Sequence, residues 1–124
     1  MFYQRSKWGR AKKTVVGGIR YDSKFEASQA KELAILLKTG KISGFESHVR
    51  IPLEVKGFHV SDYYIDFVVH HLDGTMEYIE TKGLKTAVWV LKWKMLEALT
   101  HDDPMIRMTL VQQKRFNIRK IRRA

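Results

Sequence analysis

Apolar and polar positions alternate most clearly between Tyr63 and Lys82, in YYIDFVVHHLDGTMEYIETK. Tyr63 to Leu72 is dense in aromatic and β-branched residues, Asp73-Gly74 is a turn signal, and Met76 to Lys82 alternates again, which predicts a β-hairpin. Ile65, Phe67 and Val69 are expected on one face of the first strand, with Tyr64, Asp66 and Val68 on the other. Both faces are mostly apolar, so the strand is predicted to be central in its sheet. Asp66 is then an acid in an apolar setting. On the second strand Met76, Tyr78, Glu80 and Lys82 share a face at period two, which sets Glu80 and Lys82 side by side.

Whether Asp66 joins them depends on register. A strict two-residue Asp-Gly turn pairs Leu72 with Thr75 and sends Asp66 and Glu80 to opposite faces. A three-residue loop with its glycine in the left-handed conformation restores a common face. The expectation is such a loop, with Asp66 opposite Lys82 and Glu80 diagonal to it.

The remaining pattern frames this hairpin. Thr14 to Tyr21 predicts a small hairpin about Gly17-Gly18. A helix follows, opened by Ser23 and Glu26 in capping-box spacing and ended by Gly40, with Ala30, Leu33 and Leu37, extended by Ala34, as its apolar face. Glu26 lies one turn back on that face, and two readings stand: it caps the first turn, or it projects toward the hairpin acids. Phe45, Val49, Ile51, Leu53 and Val55 alternate through a strand expected beside the central one, with Gly57 and His59 in the connection. Beyond Gly83, Thr86 to Thr100 has helical spacing, with Val88, Leu91, Met95 and Leu99 as an apolar stripe. Lys92 falls on the stripe, so its ammonium either snorkels past the core edge or reaches an acid or a phosphate. Trp89 and Trp93 are expected in the core or in a dimer contact. Asp102-Asp103-Pro104 ends the helix before a final edge strand, Met105 to Val111.

Composition narrows the chemistry. A chain of 124 residues, 44% hydrophobic, is read as one globular domain with a basic arm, 1–13, and a basic tail, 112–124. With no cysteine there is no thiol nucleophile and no cysteine-ligated metal. The five histidines show no metal-ligand spacing. No apolar run suggests a signal peptide or a membrane span, so a soluble, cytoplasmic protein is expected.

The charge is more telling: 23 Lys plus Arg against 13 Asp plus Glu, a net +10, points to a polyanionic partner. Candidate DNA-binding residues are Arg5, Lys7, Arg10, Lys12 and Lys13 in the arm, Lys85 after the hairpin, and Lys114, Arg115, Arg119, Lys120, Arg122 and Arg123 in the tail.

Two acids and a lysine on adjacent strands suit metal-assisted hydrolysis of a phosphodiester. Carboxylates are hard ligands for Mg²⁺ or Mn²⁺, which retain several waters, so few protein oxygens suffice. An ammonium beside the ion can position water and offset developing charge. Glu-x-Lys alone is a common triplet, and a solvated strand face explains it equally.

The ordered set of Ser23-x-x-Glu26, Asp66, Glu80-x-Lys82 and an inward lysine on the next helix resembles the PD-(D/E)xK nuclease superfamily. More closely, YDSKFEA, the Tyr63-x-x-Asp66-Phe67 run and the Glu80-Thr81-Lys82-Gly83 run are similar to a family of small phage proteins long described only as a domain of unknown function. The likeness spans about residues 14–100, and no proline precedes Asp66. It implies an α/β fold, a mixed central sheet flanked by helices with a restriction-endonuclease-like core, and a Mg²⁺- or Mn²⁺-dependent endonuclease. Asp66, Glu80 and the Thr81 carbonyl would bind metal, with Glu26 completing a second site or orienting a ligand water. Lys82 would align the attacking water, and Lys92 would touch a phosphate or support a ligand. Small phage nucleases of this superfamily include dimeric Holliday junction resolvases. The expectation is therefore a homodimeric endonuclease for branched DNA, working in the host cytoplasm if phage-encoded. A nucleic-acid-binding protein without catalysis is the alternative from another class, and a sequence-specific or partner-dependent duplex nuclease the alternative within the same class.

Overall fold

A mixed four-stranded sheet with a helix on each face organises the described residues, in an α/β arrangement. The computed structural model describes residues 14–16, 18–21, 23–82 and 85–112, with the backbone alone for Thr14, Val15 and Lys82. A separate hairpin, β1 (Thr14–Val16) and β2 (Ile19–Tyr21), turns at Gly18, whose φ of 81° suits glycine. Helix α1 (Lys24–Lys38) starts where Ser23 Oγ accepts the Glu26 N–H at 3.1 Å. It ends before Gly40, which has a φ of 73°.

The long antiparallel pair β3 (Ile42–Val55) and β4 (Phe58–His71) turns at Lys56-Gly57, so His59 belongs to the strand and not to the connection. Strand β5 (Met76–Lys82) pairs antiparallel with β4, and β6 (Ile106–Gln112) lies parallel to β5 at the sheet edge, in the order β3-β4-β5-β6. Parallel neighbours need a crossover, and α2 (Ala87–Thr100) supplies it, capped by Thr86 Oγ1 accepting the Trp89 N–H. Asp103 shapes the turn before β6 by accepting the Met105 N–H at 2.9 Å.

Two cores sit on the two faces. Ala27, Ala30 and Leu33 of α1 pack with Tyr21, Ile42, Phe67, Val69 and Ile79. Leu37 and Ala34, expected on that face, are exposed, and Ala27 takes their place. On the other face Trp89, Trp93 and Leu96 of α2 pack with Leu53, Tyr63, Ile65 and Val68. Val88, Leu91 and Leu99, expected inward, point to solvent, and Met95 is half-buried at their flank. Both sides of α2 are apolar, and the larger side wins: the indoles stack with centroids 5.6 Å apart and cover Tyr63.

The two cores also reveal a change of face within one strand. Phe67 and Val69 belong to the α1 core, whereas Ile65 and Tyr63, at the same parity, belong to the α2 core. Likewise in β3, Phe45 packs on the α1 side and Val49 and Ile51 on the α2 side. The expected common face of Ile65, Phe67 and Val69 is therefore split. The switch lies at His48, whose φ of 56° is a left-handed conformation inside a strand. The register runs Ser47↔Phe67 and then Val49↔Ile65, omitting the rung His48 would share with Asp66. Fully burying a large apolar side chain contributes about 1.5–3 kcal/mol, and Leu53, Ile65 and Phe67 are each buried, so packing on both faces outweighs one strained residue.

Candidate active site

Strands β4 and β5 pair from His70↔Met76 to Phe67↔Ile79 and then part. Continued, that register sets Asp66 opposite Glu80, not opposite Lys82. The loop has three residues as expected, but they are Leu72, Asp73 and Gly74, since the His71 N–H reaches the Thr75 carbonyl at 2.9 Å. Asp73 Oδ1 accepts from both the N–H and the Oγ1 of Thr75, at 3.0 and 2.7 Å, which draws Thr75 into the first rung and leaves Gly74, φ 90°, as the left-handed third residue.

Where the ladder stops, Asp66 replaces it. Its Oδ2 accepts the Thr81 N–H and the Thr81 Oγ1, each at 2.8 Å. A buried N–H left without a partner costs about 1–3 kcal/mol, so the carboxylate stabilises the parting of the strands. Burial first, then the charge of Glu26, pushes the Asp66 carboxyl up to about 6, against the opposing effects of the Thr81 bonds and His48.

Glu26, from the first turn of α1, is mostly buried and meets His48, with Oε2 and Nε2 3.4 Å apart. Its described side-chain bond is therefore to the switch residue of β3, and not the capping contact to Ser23. His48 in turn lies over the Tyr21 ring, at a centroid distance of 5.4 Å, while the Tyr21 hydroxyl and Ser47 Oγ are 2.7 Å apart.

Glu80 is 5% exposed, in the strand beside Asp66. It is hydrogen-bonded to the Tyr63 hydroxyl, which also accepts the Trp89 indole N–H at 2.8 Å. Burial, then the negative charge of Glu80, raises the Tyr63 phenol well above its ordinary value, and the charge of Asp66 acts in the same direction. The three acids thus act on a common neighbourhood: Glu26 on Asp66, and both Glu80 and Asp66 on Tyr63. Among the described residues, however, no three His, Asp or Glu side chains converge closely enough to hold a metal ion.

The acid at the far end of β5 provides a contrast. Burial opposes ionisation of Glu77, yet Thr109, His71 and Arg107 hold its carboxyl below the usual range. That acid is matched by cations as well as donors, whereas Asp66, with its two Thr81 donors, is buried beside the charge of Glu26. Opposed carboxylates of this kind are the environment in which a cation lowers the energy of both.

The other predicted residues divide. Lys92 is turned inward, but its Nζ donates to the Asp62 carbonyl at 3.2 Å, on β4 before the acids. Lys82 occupies the last position of β5, paired by its backbone with Gln112, and its side chain lies outside the described residues. Lys85 is exposed beside the start of α2. Arg5, Lys7, Arg10, Lys12, Lys13, Lys114, Arg115, Arg119, Lys120, Arg122 and Arg123 all lie outside the described residues. Three contributors escape sequence reasoning. The Thr81 N–H and hydroxyl, not only its carbonyl, have a role; Tyr63 was visible only as the first residue of the Tyr-x-x-Asp run; and nothing in the sequence marks His48.

Comparison with known proteins gives one match: residues 5–117 fit the model of a family described as a protein of unknown function, DUF1064. No curated protein and no solved structure matches the chain.

Proposed function

For this chain, which belongs to the DUF1064 family, we propose a Mg²⁺- or Mn²⁺-dependent DNA endonuclease with a restriction-endonuclease-like core that acts on branched DNA as a Holliday junction resolvase. The observation that carries the reading is the placing of Asp66 and Glu80 on neighbouring strands where the ladder opens, with the charge of Glu26 acting on Asp66. Helix α1, three antiparallel strands, α2 and a parallel fourth strand fit the mixed, helix-flanked sheet that the PD-(D/E)xK resemblance implies.

The donor set suits a hard divalent ion. Mg²⁺ keeps several of its waters and is commonly held by one or two carboxylates plus a substrate phosphate, so the pair Asp66 and Glu80 is enough where three side chains do not converge. When bound, such an ion polarises the phosphodiester and lowers the pKa of a coordinated water. In this reading the Thr81 carbonyl is a further ligand and Glu26 orients a ligand water. Tyr63 holds Glu80 in place from the α2 side, and Thr81 fixes Asp66 Oδ2. Lys82, two positions beyond Glu80, supplies the ammonium that aligns the attacking water. Cleavage leaves a 5′-phosphate and a 3′-hydroxyl.

The net charge of +10 supports a polyanionic substrate. A domain of this size leaves little room for a sequence-reading element, which favours recognition of backbone shape. The reading includes a homodimer, supplying two active centres for symmetrical nicks. The exposed stripe Val88, Leu91 and Leu99 along α2 supports it, since apolar side chains gathered on one helix face mark a protein contact. No described helix is long and apolar enough to cross a membrane.

A second reading, a nucleic-acid-binding protein without catalysis, is favoured by the absence of three converging ligands among the described residues. The two separate on Glu80→Gln and Asp66→Asn. A nuclease loses Mg²⁺-dependent cutting in both variants while retaining DNA binding, whereas a pure binder cuts nothing even with the natural residues.

A further inference from the structure

The change of face at His48 and Asp66 has a consequence beyond the acids. Past that rung the odd residues of β3 and β4 turn toward α2, so the even ones turn to the side occupied by Glu26 and His48. Arg50 and Tyr64 form one rung there, two residues beyond Asp66, or about 7 Å along the strand. Tyr64 is 49% exposed although its neighbours Tyr63 and Ile65 are buried. Further out on the same strand, beyond a register shift opposite Leu53 and Glu54, Val60 and Phe58 are 52% and 77% exposed. Tyr64 is therefore an exposed ring on the strand that leads away from the acids.

Arg50 completes the surface. Its side chain is 56% exposed, and its guanidinium lies 3.0 Å from Asp62, which also meets His59 at 2.8 Å. His59 and Arg50 hold the Asp62 carboxyl below the usual range, and the guanidinium so anchored also meets the Tyr64 hydroxyl. An oriented guanidinium next to an exposed ring accommodates the two halves of a nucleotide, with the phosphate on the cation and the base on the ring.

We propose that the Arg50–Tyr64 rung is a stacking platform for an unpaired base adjacent to the reacting phosphate, so that the substrate is nucleic acid in which a base beside that phosphate is unstacked. A continuous duplex keeps its bases stacked and cannot use the ring. A fork or a junction arm can. This rests on the endonuclease reading for the position of the phosphate, but the platform itself is a binding site and can be assayed alone.

The experiment uses the full chain with a forked duplex carrying 2-aminopurine at the branch and a continuous duplex of the same sequence, in EDTA for binding and in Mg²⁺ for cutting. The fluorescence of 2-aminopurine is expected to fall on binding to the natural protein and to Tyr64→Phe, and to remain high with Tyr64→Ala. The ratio of fork to duplex affinity should drop about tenfold or more in Tyr64→Ala and recover in Tyr64→Phe. Unchanged quenching or an unchanged ratio in Tyr64→Ala overturns the platform. If Tyr64-dependent quenching occurs but Mg²⁺ produces no cutting, the platform stands and the endonuclease reading fails. If the protein cuts forks and Tyr64→Ala cuts them with the same preference over duplex, the platform alone fails.

Discussion

Asp66 and Thr81 are joined twice through a single oxygen: the N–H and the hydroxyl of Thr81 both donate to Asp66 Oδ2 at 2.8 Å. One side chain thereby does the work of a missing ladder bond and holds apart the strands that carry the candidate acids. Burial first, and then the nearby charge of Glu26, opposes its ionisation.

The stability of the metal-free protein should therefore depend on Asp66 with a definite sign. With its carboxyl raised from 3.8 to about 6, the folded state holds the proton more tightly than the unfolded state. This stabilisation is complete below about pH 4 and is lost as pH rises through 6. Asp66→Asn removes the dependence. In EDTA the variant should melt close to the natural protein at pH 4 and be more stable at pH 8, by roughly 2–3 kcal/mol. A natural protein whose stability instead rises from pH 4 to 8 through this residue contradicts the burial of Asp66 beside Glu26.

Tyr63 carries the link between α2 and Glu80. Tyr63→Phe keeps the ring against Trp93 and deletes the hydroxyl used by the Trp89 indole and by Glu80. Chemical denaturation should show a loss of about 1–2 kcal/mol, and Mg²⁺-dependent cutting should fall more than DNA binding does.

His48 is strained by its own conformation, φ 56°, in the middle of a strand. His48→Val places a β-branched residue there and should destabilise the fold by about 2 kcal/mol or more. His48→Gly should be milder, because glycine accepts the angle even as the contact to Glu26 is lost. Equal losses in the two variants would show that backbone conformation is not what the position demands.

The outer stripe of α2 predicts an oligomeric state. Leu91→Glu introduces a charge at an exposed position and should leave the melting temperature almost unchanged, while light scattering should show a shift from dimer to monomer. A natural protein that is already monomeric at high concentration removes the dimer from the account.

How much of this was legible in the residues varies with the kind of signal. Ser23, Gly40 and Thr86 announce helix ends through local chemistry: α1 starts and stops beside the first two, and α2 starts at the third. The central strand and the final edge strand follow from apolar density and turn residues; the parallel pairing of the latter is added by the structure. The register did not follow, because Leu72-Asp73-Gly74 and Asp73-Gly74-Thr75 are both three-residue loops containing the glycine, and only the side-chain bonds from Thr75 to Asp73 choose between them. The orientation of α2 was hidden because Val88, Leu91 and Leu99 are spaced for a core as well as Trp89, Trp93 and Leu96 are. The split of Ile65 from Phe67 depends on one backbone angle at His48, on the neighbouring strand. Of the site, Glu26, Asp66 and Glu80 were legible as acids on apolar faces; Tyr63 and His48, which hold two of them, were not.

Divalent-ion chemistry at Asp66 and Glu80 stands or falls on cleavage of a labelled four-way junction, with nicked duplex, linear duplex and single strands alongside, in Mg²⁺ and in EDTA. Paired nicks in the junction with 5′-phosphate ends are expected in Mg²⁺, none in EDTA, and a loss of about a hundredfold or more in Glu80→Gln with binding retained. Binding without cutting in either Mg²⁺ or Mn²⁺, or cutting by Glu80→Gln at the natural rate, contradicts it.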